Sequence, residues 1–99
     1  MVKVVWTKIS TIDLKEIHDF IAEDSSRYAY ITVDKIYSKA QDVSRSPFLG
    51  RVVPEINNQN IREIIIGNYR LVYRIVNDEQ IDILRVYHSA RLLKRESLE

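Results

Sequence analysis

The chain has no cysteine, and only two glycines, two prolines and two histidines among its 99 residues. Without cysteine there is no disulfide, no thiol nucleophile and no thiolate metal site, a composition that fits a reducing cytoplasm. His18 and His88 fall in separate predicted elements, so a histidine-rich metal centre lacks its ligands and neither metal nor cofactor is expected. No apolar run approaches membrane-spanning length. The start, Met1 to Lys8, also lacks the sustained apolar stretch of a signal peptide, and the expectation is a cytoplasmic protein with no membrane partner. An excess of one charge is missing too. Fifteen Lys and Arg against fourteen Asp and Glu leave a formal net charge of +1, which argues against coating nucleic acid by bulk electrostatics.

What is present is a folded-domain composition, 45% hydrophobic and 29% charged, in a length that suits one domain over 1–99 with a single core and no large internal cavity. Val2 to Trp6 reads as a short strand whose β-branched valines suit an interior position in a sheet. Ser10-Thr11-Ile12-Asp13 fits an N-cap with an acid at N3. Leu14, Ile17 and Ile21 then repeat at helical spacing to about Glu23. After the polar break around Ser25, the residues Ala29, Val33, Ile36, Ala40 and Val43 mark one apolar seam on a second helix, antiparallel to the first. Pro47 and Gly50 end it, and Val52 to Ile56 is expected to be extended around Pro54. Ile61 to Ile66 and Tyr69 to Val76 read as strands joined by Gly67-Asn68, and a last strand runs from Gln80 to about Tyr87. Ser89 to Arg95 is either a helical turn or a tail. The fold class is therefore α+β: an N-terminal strand, a helical hairpin, then a three-stranded antiparallel sheet.

Charge is distributed unevenly, with acids concentrated in the first half and arginines from Arg45 onward. Arg62, Arg70, Arg74 and Arg85 all fall on predicted strands. A buried guanidinium must be paired, so these four are either matched internally or offered to an anion. If Gly67-Asn68 closes the hairpin, Ile66 faces Tyr69, and Glu63 shares a face with Arg70 and Arg74, diagonal to both. The opposite face, with Ile64, Ile66, Tyr69, Leu71, Tyr73 and Ile75, is apolar and should meet the helices. A three-residue turn at Asn77 to Glu79 places Asp82 opposite Arg74 and Val86 opposite Arg70, with His88 on the face of Arg70. A two-residue turn instead sets Arg85 opposite Arg70. The first is favoured because like charges directly across a ladder destabilise it. Most of the six tyrosines are expected to pack, and the basic residues Arg91, Lys94 and Arg95 form a basic end.

The segments Gly50-Arg51-Val52-Val53-Pro54-Glu55, Ile61-Arg62-Glu63, Tyr69-Arg70-Leu71-Val72-Tyr73-Arg74 and Val86-Tyr87-His88-Ser89-Ala90-Arg91, in this element order, resemble the RelE/ParE toxin superfamily over nearly the whole chain. Trp6, Asp13-Leu14, Ile17 and Ile21-Ala22 look like the first-helix region of that family. The resemblance implies the toxin of a type II toxin–antitoxin module, a hetero-oligomer with a cognate antitoxin whose C-terminal segment wraps around it. Two activities are implied by different branches. The ParE branch poisons DNA gyrase without known catalysis by the toxin, whereas the RelE, YoeB and HigB branches cut messenger RNA on the ribosome. For the second, Arg70, His88 and Glu55 resemble the cation, terminal histidine and carboxylate of YoeB-type nucleases, types suited to phosphate stabilisation and acid–base work. Arg62, Arg74, Arg85 and Arg91 are the candidates for contact with a target or an anion. Ser89 stands where those nucleases carry a tyrosine, and Gly50 to Ile61 contains no lysine. Val52 to Glu55 and Ile61 to Glu63 look more like ParE, the branch favoured here.

Overall fold

A computed structural model describes residues 1–89, and the expectations for Arg91, Lys94, Arg95 and the rest of the chain from residue 90 lie outside the described residues. The elements are β1 (Lys3–Trp6), α1 (Lys8–Ala22), α2 (Ser26–Arg45), β2 (Arg51–Val52), β3 (Ile61–Ile66), β4 (Tyr69–Asn77) and β5 (Gln80–His88). The strands form one five-stranded sheet in the order β1-β5-β4-β3-β2. The three-stranded antiparallel meander is its centre. β1 adds to it in parallel alongside β5, and the two-residue β2 adds antiparallel to β3. β1 is thus an edge strand and not an interior one. Val4 packs against the main core beneath the helices, but only Gln80 to Ile83 of β5 pair with the strand.

The helical hairpin covers one sheet face. Ile36, Ala40 and Val43 of α2 pack with Leu71, Tyr73, Ile81, Ile83 and Val86 in the main core, and Leu14 and Ile17 of α1 close its rim. Ala29 is also buried, so the seam read from the spacing of α2 is the face that meets the sheet. α1 starts earlier than Ser10, because Thr7 is the N-cap and accepts a hydrogen bond from Ser10 N at 3.1 Å. The Thr7 hydroxyl also reaches the β5 carbonyls of Ile83 (2.9 Å) and Leu84 (3.2 Å). A side chain that ties a helix start to a strand wins over a local capping box. Asp13 is consequently inside the helix and not in its first turn.

Gly67 holds φ +57° in the β3–β4 turn, and Ile66 faces Tyr69 as the two-residue connection requires. The β4–β5 register departs from both expected versions. Arg74 does face Asp82, but Arg70 faces Tyr87 and His88 faces Tyr69. Two bulges account for this. Val76 is the extra residue next to the Asp78-Glu79 turn, and Leu84 is the extra residue between the Val72–Arg85 and Tyr73–Ile83 pairs. One added residue inverts the side-chain alternation beyond it, so His88 stands on the helix side, opposite to Arg70. The segment after Val52 is also not extended throughout. Val53 to Asn57 is a turn, with Asn57 N donating to Val53 O at 2.9 Å. It seats Val53 and Ile56 on Val72 and Tyr87, a second small core on the outer sheet face.

The tyrosines divide by element. Tyr73 and Tyr87 are buried and Tyr69 is half-buried, whereas Tyr28, Tyr30 and Tyr37 lie exposed along α2. Tyr37 stacks on Trp6 with ring centroids 5.4 Å apart.

Candidate functional site

The outer sheet face carries a cluster of four charged side chains. Glu63 of β3 is wholly buried, and β4 places Arg70 diagonally across from it. Arg70 Nε donates to Glu63 Oε1 at 2.8 Å, and Nη2 reaches the same carboxylate oxygen. The turn after β2 then presents Glu55 to the same guanidinium, which donates from Nη1 at 2.9 Å and from Nη2 at 3.0 Å. Arg51 completes the cluster with Nε donating to Glu63 Oε2 at 2.6 Å. Two arginines and two glutamates cancel in formal charge, and the bidentate geometry matches the planar fork of arginine. The Glu55 and Glu63 carboxylates raise the Arg70 pKa above its ordinary value, Glu55 contributing most, so Arg70 is permanently cationic.

A second assembly joins the first helix to the last strand. Arg85 Nε and Nη2 donate to the Asp13 carboxylate at 2.7 and 3.0 Å, and Val86 N donates to the same group at 3.0 Å. The Asp13 carboxylate raises the Arg85 pKa, chiefly through that hydrogen bond. Because β1 stops pairing at Ile83, Val86 N lies on an otherwise open strand edge, and Asp13 serves there as a plug. Arg85 also lies over the Tyr87 ring, 4.6 Å from its centroid.

All four strand arginines therefore have protein partners. Arg74 Nη2 is 3.6 Å from Asp82, on a half-exposed side chain. Arg62 donates from Nη1 to Gly50 O at 2.9 Å and from Nε to Gln59 O at 3.0 Å, and it covers the Phe48 ring at 4.7 Å. Of the three residues matched to a nuclease constellation, the fold brings Glu55 and Arg70 together, but His88 makes an edge contact with Tyr69 on the other face. His88, Asp13, Glu16, Phe20 and Tyr69 instead border a groove of about 280 Å³ between α1 and β5.

Sequence reasoning placed Glu63 near Arg70 through the hairpin register. It missed Glu55 as the second partner, Arg51 as the third member and Asp13 as the partner of Arg85, 72 residues away. The proline before Glu55 was the available signal for a turn that folds back over the sheet. No local pattern marks the Asp13–Arg85 pair. Among the described residues no cluster of His, Cys, Asp and Glu suits a metal ion, and no helix is long and apolar enough to cross a membrane.

Residues 4–93 match the family described as the ParE toxin of type II toxin-antitoxin system, parDE. Toxin RelE2 of Caulobacter vibrioides is 28% identical over 92 residues, a span that covers 93% of this chain and all of that protein. Among solved structures, a chain of the chromosomal ParDE toxin–antitoxin system from P. aeruginosa superposes with a TM-score of 0.72 at 20% identity, covering 89% of this chain and 96% of the other. A chain of the RelBE2 toxin–antitoxin complex from Mycobacterium tuberculosis gives 0.63 at 25% identity, covering 88% and 96%. The strand, helical hairpin and antiparallel meander are thus the fold of these toxins, and the chain belongs to the ParE toxin family of type II toxin–antitoxin systems, within the RelE/ParE superfamily.

Proposed function

We propose that this toxin acts as a ParE-like growth inhibitor that poisons DNA gyrase through protein contact, in the cytoplasm, and that a cognate antitoxin neutralises it by forming a hetero-oligomer. The observation that carries this reading is the state of the nuclease-like trio. RNA cleavage by 2′-hydroxyl attack needs a cation free to meet the phosphate and a proton-transfer group beside it. Here the Arg70 guanidinium is engaged by two carboxylates, and His88 lies across the sheet from it. Arg62, Arg74, Arg85 and Arg91 remain the candidate contacts to the target. The antitoxin part of the reading is supported by the solved relatives, whose descriptions name toxin–antitoxin systems.

The alternative is ribosome-dependent cleavage of messenger RNA using Arg70, His88 and Glu55, favoured by the similarity to a protein named Toxin RelE2. One experiment separates them. The chain is induced in a bacterial host while messenger RNA ends on ribosomes and the DNA-damage response are followed in the same culture. The proposal expects DNA damage, trapped gyrase cleavage complexes and intact messages, with no arrest in a strain whose gyrase is resistant. It also expects His88→Ala to remain as toxic as the parent chain. Codon-positioned cuts without DNA damage, lost on His88→Ala, would overturn it in favour of the nuclease.

A further inference from the structure

The first half of α2 carries two stripes of side chains with different environments. Ala29 and Ile36 are fully buried on the seam that meets the sheet. Beside that seam Tyr28, Ile31, Thr32 and Lys35 recur at intervals of three and four, so they share a second stripe. This stripe does not close on its neighbours. Between it, Ile21 at the end of α1 and the β3–β4 turn lies a cavity of about 200 Å³. Ile21, Ile31 and Ile66 are half-buried around it, and Tyr28 and Tyr69 add aromatic walls. The turn that forms its far side is fixed by other contacts. Ile66 is set opposite Tyr69 in the ladder, Gly67 holds φ +57°, and Asn68 O accepts from Ser89 N at 2.7 Å.

The polar groups of this cavity are unengaged and favour an anion. Among the described residues Thr32 makes no side-chain hydrogen bond, whereas the hydroxyls of Thr7 and Thr11 both donate to backbone carbonyls. Among the same residues Lys35 pairs with no carboxylate, whereas Lys39 and Arg45, further along α2, lie 3.8 and 3.6 Å from Asp42. No acid lines the cavity. The groove between α1 and β5 differs, since it is bordered by Asp13, already matched by Arg85, and by Glu16, so it presents a carboxylate to an entering anion. Size narrows the ligand further. At about 30 Å³ for each water-sized group, 200 Å³ takes roughly seven such groups. That is below the usual range of about 300–1,000 Å³ for a cofactor or drug-sized ligand.

We propose that this cavity binds a small amphiphilic carboxylic acid, its unbranched apolar chain lying between Ile21, Ile31 and Ile66 and its carboxylate meeting the Lys35 ammonium and the Thr32 hydroxyl. Burial of the chain against the isoleucines drives binding, and the exposed ammonium at the mouth selects the sign of the head group. The bound ligand bridges α2 to the β3–β4 turn and stabilises the fold by mass action. The site stands apart from the gyrase reading, and its test needs no cellular target. The purified chain is titrated with octanoate and, separately, with octylamine, while amide shifts and the thermal midpoint are followed. The expected result is saturable binding of one octanoate, shifts concentrated at Ile31, Lys35, Gly67 and Asn68, and a raised thermal midpoint. Octylamine should bind at least about tenfold more weakly. Lys35→Glu, a change on an exposed side chain, should reverse that order, and Thr32→Val should weaken octanoate by about fivefold. Equal binding of the two probes, an order unchanged by Lys35→Glu, shifts centred on Val86 and His88, or a response that does not saturate would overturn the assignment.

Discussion

The two faces of the central meander are built from the same three strands but held by different physics. On the helix side, Leu71, Tyr73, Ile81 and Ile83 are fully buried against Ile36, Ala40 and Val43, and non-directional area burial holds them there. On the outer side the same strands bury Glu63 and Arg70, and a turn closes over them with only Val53 and Ile56 as apolar cover. An apolar face tolerates small shifts in geometry, whereas a buried ion pair is stable only when every partner is present. The outer face should therefore be the more brittle of the two although it buries less apolar area.

The sharpest way to expose that difference is to remove one member of the buried pair. Glu63→Ala leaves Arg70 and Arg51 without their shared carboxylate, and a destabilisation of about 3–5 kcal/mol is expected, read as a shift in the denaturant midpoint with little change in slope. The double replacement Glu63→Leu with Arg70→Met should recover most of the loss, because two apolar side chains of similar volume avoid the desolvation cost. If the double variant is as unstable as the single one, the outer face is not limited by unpaired charge and the comparison fails.

On the inner face Ile83→Ala is the matching change, with an expected loss of about 2–4 kcal/mol from lost transfer energy and the cavity left behind. The Thr7 hydroxyl bonds to the Ile83 carbonyl and not to its side chain, so the helix cap should survive. Ile83→Val should cost about 1 kcal/mol. A graded response on this side, against an all-or-none response at Glu63, is what separates packing from pairing.

The inner face is also the legible one. The seam Ala29, Ile36, Ala40, Val43 and the alternation through Leu71 and Tyr73 state their burial in local sequence, since each side chain answers to a period of 3.6 or 2. The Glu63–Arg70 pair is legible for the same reason, through a two-residue turn that fixes register. Beyond that the outer face is not. His88 stands on the opposite side from the one its spacing suggests because Leu84 bulges, and nothing in Asp82 to Val86 marks the extra residue. What holds the bulge is the Thr7 hydroxyl on the Ile83 and Leu84 carbonyls, a contact across 76 and 77 positions. The preference of the helix for Thr7 over Ser10 as its cap is hidden in the same way, since the tie to β5 exists only once the strand is in place. Asp13, Arg51 and Glu55, the partners that local sequence does not reveal, lie 72, 12 and 15 positions from the groups they hold.

The smallest effect concerns Glu55, which joins the cluster from a turn and keeps part of its side chain in solvent, 23% against 0% for Glu63. Its bidentate pair with Arg70 is partly screened, and Glu55→Gln should cost only about 1 kcal/mol. The raised Arg70 pKa adds no pH window of its own. A group whose folded pKa is raised contributes fully below its unfolded value and loses that contribution only as pH climbs through the folded value, here above the range in which the protein would be studied. What Glu55→Gln should change is local. The Val53 to Asn57 turn loses its ionic tie to the sheet while Val53 and Ile56 stay on Val72 and Tyr87, so amide exchange should quicken at Ile56 and Asn57 and remain slow at Leu71 and Tyr73. Exchange that quickens equally on both faces would mean that the outer cluster supports the whole sheet, and the two faces would then have to be treated as one cooperative unit.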